Sequence, residues 1–285
     1  MIRTLYPLIS ALLLSPALFA ANENQAWLPR ELRIPGGIAL VDITDHYAPG
    51  KVALHAGHPV KTVTRAGRQI AIVGIPLSVT ADSITLSIHA DNDGNKAEPL
   101  QQFFIEIGEG NYPQEQLTIA DTNKVSPDQQ SLRRIRRESK LISEFLENWQ
   151  SGVVATGAMQ LPTEGRLSSS FGRRRIINGL PRRPHSGLDI AAPVGHPVYS
   201  PADGVITGDG DYFFNGNSLF IDHGEGVISM FCHLDQTLVK PGDRVAKGAL
   251  VARVGATGRV TGPHLHWSLS LNDARVDPLL FVENN

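Results

Sequence analysis

Short apolar runs closed by glycine-rich turns recur along almost the whole chain, and only one segment carries the periodicity of a long helix. That segment is SPDQQSLRRIRRESKLISEFLENWQ. In it Leu132, Ile135, Ile142, Phe145, Leu146 and Trp149 recur at three- and four-residue steps, which places them on one stripe of a helix. Ser126 is the expected N-cap, Pro127 the first helical residue and Gln129 the partner that completes a capping box. Arg133, Arg134, Arg136 and Arg137 read as a solvated face paired with Glu138, Glu144 and Glu147, not as a nucleic-acid surface. An apolar stripe has to pack on something. Residues 126–150 are therefore expected to form a docked connector between two β units.

The unit before the connector, residues 21–125, contains GIALVDI, KVALHA, RQIAIVGIPLS, SITLSIHA and QFFIEIG, with turn clusters such as PGG, APG and RAG between them. Several short strands at this spacing predict a small β-sandwich or barrel. Its histidines, His46, His55, His58 and His89, are scattered and read as structural or surface residues. The unit after the connector, residues 155–285, returns to β with NSLFIDHG, GVISMFCHLD, ALVARVG and LHWSLSL. Its glycine-dense turns suit tight hairpins that need positive φ, so an antiparallel β-domain is predicted. Only the stretch just after His233 has room for a short helix or 3-10 turn. GDG and GATG are not followed by helices, which removes the phosphate-loop reading. Two domains also suit a chain of 285 residues.

Residues 1–20, MIRTLYPLISALLLSPALFA, have the form of a secretory signal: Arg3, an apolar run from Leu5 to Leu14, then small residues at Ala17, Ala20 and Ala21. No other segment is long and apolar enough to cross a bilayer as a helix. Cys232 is the only cysteine, so no intramolecular disulfide can form, and its place in VISMFCHLD reads as a buried structural thiol. The formal net charge of −2 argues against nucleic acid as a partner.

Ligand-type residues gather in three stretches of the last unit: His185 and Asp189 in PHSGLD, His233 in FCHLD, and His264 and His266 in GPHLHW. If HLHWSLSL is a strand, His264, His266 and Ser268 share one face, while Leu265, Trp267 and Leu269 share the core face. Any one of these pieces is weak evidence for a metal. All three in one β-domain, each beside a turn, make a site for an ion such as zinc, which takes imidazole and carboxylate ligands.

From about Arg166 to its end the chain resembles the LytM/lysostaphin-type zinc metallopeptidases. The resemblance rests on SSFGRRR, PHSGLDIAAPVGHPVYSPADGVIT, IDHGEGV, CHLD, VKPGDRVAKGALVARVGATGRVTGPHLHWSL and DPLLF. It implies an open antiparallel sheet with a groove, and one zinc per chain on His185, Asp189 and His266. It gives His233 and His264 the catalytic roles of general base and oxyanion stabiliser, in either order. It implies hydrolysis of peptide cross-links in the stem peptides of peptidoglycan, at D-Ala–diaminopimelate bonds in Gram-negative relatives and at glycine bridges in lysostaphin-like ones. With the signal segment it implies a secreted, periplasmic enzyme. Some relatives have lost ligands and only activate amidases or bind the wall; this chain keeps every ligand position. The arginine runs Arg173–Arg175 and Arg182–Arg183 either meet stem-peptide carboxylates or lie in a solvated loop. The first β unit is a candidate regulatory domain that covers the groove or holds a protein partner.

Overall fold

A computed structural model describes residues 26–91, 98–150 and 157–283. The expected signal segment, residues 1–20, lies outside the described residues. Among the described residues the protein is mainly β with one α-helix. Among the described residues no helix is long and apolar enough to cross a membrane.

Two small sheets form the first unit. One has the order Ile38–Asp42, Arg68–Gly74, Lys61–Arg65, and the other the order His58–Pro59, Lys51–His55, Ser83–Ala90, Gln101–Glu106. They enclose a core of Ala39, Ala71, Val73 and Ile75 against Ala53, Leu86, Ile88 and Ile105. The first sheet is buried on its other face too. Ile38 and Ile72, with Leu40 and Val63 beside them, join the large core of the second unit. A strand buried on both faces needs apolar residues at consecutive positions. This is why GIALVDI and RQIAIVGI read as unbroken runs, whereas SITLSIHA alternates.

The helix runs Gln129–Leu146, later than the expected start. Its N-cap is Asp128, whose carboxylate accepts from the Ser131 N–H at 2.7 Å, and not Ser126. The Ser126 N–H instead bonds the Thr122 carbonyl at 2.8 Å, just after the 3-10 turn Thr122–Lys124. A carboxylate at the helix start also answers the helix dipole, which a serine hydroxyl does not. Leu146 is buried among Phe220, Ile228, Met230 and Cys232, with Ile142 and Phe145 against it. Leu132 and Trp149 remain exposed at 36% each, so the stripe docks mainly by its last turns. Of the expected arginine pairs, Arg134 meets Glu138, and Arg134 also reaches Asp211 at 3.0 Å.

A ten-stranded antiparallel sheet dominates the second unit. Its main path pairs Arg244–Val245, Gly204–Tyr212, Gly216–Asp222, Val227–Thr237, His264–Leu271, Leu188–Ala191 and Arg166–Ser169 in that order. One face is the large dry core, which includes Leu188, Ile190, Phe231, Leu265, Trp267 and Leu269. Complete burial of each such side chain contributes roughly 1.5–3 kcal/mol. The stretch after His233 is not helical: Val227–Thr237 continues as a strand through a one-residue register shift. The short 3-10 turn lies instead at Pro278–Leu280, capped by Asp277. Cys232 is fully buried, and burial pushes its thiol up to about 11, as an inert packing residue requires.

His223 joins two strands in this sheet. It is fully buried, with Nδ1 2.8 Å from the Asp203 carbonyl and Nε2 2.9 Å from Ser229 Oγ. Burial pushes the ring from 6.5 down to about 4. The unfolded chain takes up this proton near pH 6.5 and the folded chain only near 4. The contribution to stability is therefore complete above that window and is lost as pH falls through it. Denaturant unfolding at several pH values should show His223→Gln removing on the order of 1.4 kcal/mol per pH unit of slope there; an unchanged slope would contradict this role.

Candidate metal and catalytic site

The register of three strands builds the site. Asp189 on Leu188–Ala191 lies directly opposite His266 on His264–Leu271, and Ala191 lies opposite His264. Directly opposed residues point to the same face. Asp189, His266 and His264 therefore project away from the dry core. His185 comes from the loop before Leu188. Its own N–H bonds the Arg173 carbonyl at 2.8 Å, and its carbonyl accepts from the Gly172 N–H at 2.8 Å.

His233 reaches the same face by a different route. Cys232 pairs with His266, so simple alternation would turn His233 the other way. His233 instead has φ of +63°, at the register shift of its strand. Its ring centroid lies 4.8 Å from that of His264 and 6.0 Å from that of His266. A left-handed conformation at a non-glycine residue costs energy and gathers at functional positions.

His185 Nε2, His266 Nδ1 and Asp189 Oδ1 converge on one point. The separations are 2.9 Å from His185 Nε2 to Asp189 Oδ1, 2.7 Å from His266 Nδ1 to the same oxygen, and 3.0 Å between the two nitrogens. All three residues are more than nine-tenths buried. Their outer atoms fix the tautomers. His185 Nδ1 lies 2.9 Å from the Ser170 carbonyl, which can only accept, so this nitrogen carries the proton. Ser268 Oγ donates to the Ser186 carbonyl at 2.9 Å and so accepts from His266 Nε2–H, also at 2.9 Å. The atoms left to face inward are therefore Nε2 of His185 and Nδ1 of His266. Two imidazole nitrogens and one carboxylate oxygen thus meet at one point. Protonation is opposed at His266, where burial outweighs the Asp189 carboxylate and pushes the ring down to about 4. At Asp189 burial favours the neutral acid, but the two imidazoles overcome it and hold the carboxyl well below its usual range. A divalent cation satisfies this donor set, and two imidazoles with one carboxylate suit zinc while leaving a coordination position open.

The surroundings hold the three donors in place. Asp189 Oδ2 accepts from Arg175 Nη2 at 2.8 Å, which leaves Oδ1 for the centre. Arg175 Nε donates to Glu115 Oε1 at 2.8 Å, and Ser169 Oγ also donates to the Glu115 carboxylate. Arg175 is thus neither a solvated loop residue nor free for substrate. Glu115 lies on the strand Gln114–Leu117, upstream of the helix, which pairs in parallel with Arg174–Ile177. With Leu117 and Ile119 it walls a cavity of about 130 Å³ that His233, His264 and Asp189 also line. No sequence spacing links Glu115 to this site, and it went unpredicted.

His233 and His264 are oriented in the same manner. His233 Nδ1 donates to the Thr257 carbonyl at 2.8 Å, and His264 Nδ1 to the Gly262 carbonyl at 2.8 Å. Each therefore has Nε2 as its remaining ring nitrogen, and that of His264 lies 3.8 Å from Asp189 Oδ1. Burial, reinforced by His264 and His266, pushes His233 down to about 3 and keeps it neutral.

Comparison with known proteins agrees with this geometry. Peptidase family M23 matches residues 183–278, and the Peptidase family M23 N-terminal domain matches residues 32–99. A solved structure from Pseudomonas aeruginosa that carries the M23 peptidase designation is 38% identical, covers 88% of this chain and 96% of its own, and superposes with a TM-score of 0.71. Peptidoglycan DD-endopeptidase ShyC of Vibrio cholerae serotype O1 is 41% identical over 115 residues, 40% of this chain and 26% of that protein. DD-carboxypeptidase/endopeptidase Mpg of Neisseria meningitidis serogroup B is 42% identical over 114 residues, 40% of this chain and 26% of that protein. The aligned part spans about a quarter of the length of these curated relatives. The chain belongs to peptidase family M23, a family of metallopeptidases.

Gly187 has a steric reason to be glycine. A Cβ there would lie 2.6 Å from the Trp267 carbonyl oxygen and 2.7 Å from both Cε1 and Nε2 of His266. Gly187→Ala should therefore displace the His266 ring and weaken divalent-metal affinity by about 10- to 100-fold with the secondary structure intact. Competition with a chromogenic chelator measures this, and wild-type affinity would contradict the placement of His266.

Proposed function

We propose that the chain is a zinc-dependent endopeptidase that hydrolyses the peptide cross-links of peptidoglycan at D-Ala–diaminopimelate bonds. The observation that carries the reading is the convergence of two imidazole nitrogens and one carboxylate oxygen beside a second pair of oriented histidines. His185, Asp189 and His266 would hold one zinc ion, and His233 and His264 carry the catalytic proton and oxyanion chemistry. The relatives named as peptidoglycan endopeptidases support the substrate, and the signal-like residues 1–20 support a periplasmic location. Residues 21–125, 126–150 and 155–285 serve as N-terminal domain, connector and peptidase domain.

The metal, when bound, supplies Lewis acidity that polarises the scissile carbonyl and makes water acidic near neutral pH. The chain does the rest. Asp189, held at its far oxygen by Arg175, keeps its near oxygen fixed, so little reorganisation accompanies the reaction. His233 and His264, with Nδ1 engaged by backbone carbonyls, line the cavity where an extended peptide would lie. One accepts the proton of the attacking water, and the imidazolium formed delivers it to the leaving amine. The other, once protonated or bridged by water, stabilises the developing oxyanion. A non-catalytic wall-binding or amidase-activating protein on this scaffold would need none of these orientations, so the complete set speaks against that alternative.

Purified sacculi digested with the full-length protein and analysed by mass spectrometry test the reading. His266→Ala should lose the metal and all hydrolysis. His233→Ala should retain the metal yet lose about 10²- to 10⁴-fold in rate. Undiminished hydrolysis by His266→Ala would sink the proposal.

A further inference from the structure

Of the five arginines in the runs Arg173–Arg175 and Arg182–Arg183, four are engaged by the protein itself, and Arg183 is exposed and does not line the cavity. Arg175 is bound to Glu115 and Asp189, Arg182 to the Val125 carbonyl at 2.6 Å, and Arg174 to the Tyr112 carbonyl at 3.1 Å. Arg173 reaches Ser170 Oγ at 3.2 Å and Glu115 at 4.0 Å. Arg259 differs. Its guanidinium carbon lies 4.3 Å from the centre of the Phe214 ring, and its main-chain N–H bonds the Phe214 carbonyl at 2.9 Å. Its one side-chain hydrogen bond among the described residues is a long contact of 3.4 Å from Nη1 to the Lys124 carbonyl. Among the described residues no carboxylate lies within ion-pair distance of it.

Arg259 lines the same cavity as His233, His264 and Asp189. The two carboxylates in that cavity, Glu115 and Asp189, both answer to Arg175. Burial, followed by repulsion from Arg175 and Arg182, lowers the Arg259 guanidinium to about 10. It therefore stays charged at neutral pH, held by an aromatic ring and short of hydrogen-bond acceptors. A guanidinium offers five N–H donors in a planar fork that fits a carboxylate.

We propose that Arg259 is the specificity residue of the groove and binds a free carboxylate of the acidic peptide being cleaved. The assignment rests on the peptidase reading above and names the part of the substrate that the site holds. A carboxylate there would supply the counter-charge that the described residues do not. It would also fix the register of the peptide against His264, five residues further along the same loop and strand.

The test compares a cross-linked muropeptide dimer with the same dimer amidated at its free carboxylates, using the full-length zinc-loaded protein. Arg259→Gln should raise KM for the carboxylate dimer by about 10- to 100-fold and change kcat by less than about threefold. Arg259→Lys should recover part of the loss. Amidation should raise the wild-type KM to a similar extent, and the two losses should not add. Equal KM values for wild type and Arg259→Gln, or an equal loss on both dimers, would overturn the assignment. If wild type cleaves neither dimer, the peptidase reading fails instead. Calorimetric binding of the intact dimers then decides the subsite: binding that needs both Arg259 and the carboxylate supports it, and equal binding by wild type and Arg259→Gln refutes it.

Discussion

Two imidazoles and a carboxylate, all more than nine-tenths buried, bring one donor atom each to a common point. A cation satisfies such a set in a low-dielectric setting, and the surrounding structure holds the three atoms there. The Ser170 and Ser186 carbonyls place the ring protons on the outside, the second through Ser268. Arg175 occupies the far oxygen of Asp189, and Gly187 leaves room for the His266 ring. Each of these contacts fixes one donor atom toward the common point.

The strand His264–Leu271 sets this centre against the rest of the sheet. On one side Leu265, Trp267, Leu269 and Leu271 are fully buried in the large core. On the other, His264 and His266 face the groove, while Ser268 braces His266 and Ser270 Oγ meets the Leu146 carbonyl at the end of the helix. The helix therefore covers the end of the sheet face that the groove leaves over. The first β unit is tied in as well. Asn272 bonds both the N–H and the carbonyl of Gly74, and Lys61 pairs with Glu225 at 2.6 Å. A shared core behind these polar contacts explains how a strand from the first half of the chain can wall the site.

Much of this was legible in the sequence because it depends on local periodicity. Alternation in HLHWSLSL separates ligand face from core face without reference to any other strand, and the glycine-dense turns announce antiparallel pairing. The five site residues carry side chains of unmistakable chemistry. What escaped depends on non-local or backbone facts. The positive φ of His233 reverses the face that alternation assigns to it. Asp128 caps in place of Ser126 because a 3-10 turn at Thr122–Lys124 precedes the helix, which starts only at Gln129. Glu115 reaches the groove only through a parallel pairing between segments almost sixty residues apart, and Arg175 was indistinguishable by sequence from its neighbours in the run. Arg259, in GRVTG, carried no signal beyond its place before the histidine pair.

The central claim is that His185, Asp189 and His266 are the ligands of one zinc ion. X-ray absorption at the zinc edge, on protein loaded with one equivalent, tests it most directly. The account predicts one tightly held zinc with a first shell of two imidazole nitrogens and carboxylate or water oxygens, and no sulfur, since Cys232 packs among apolar side chains. Failure to retain zinc, or a shell that contains sulfur, would contradict it.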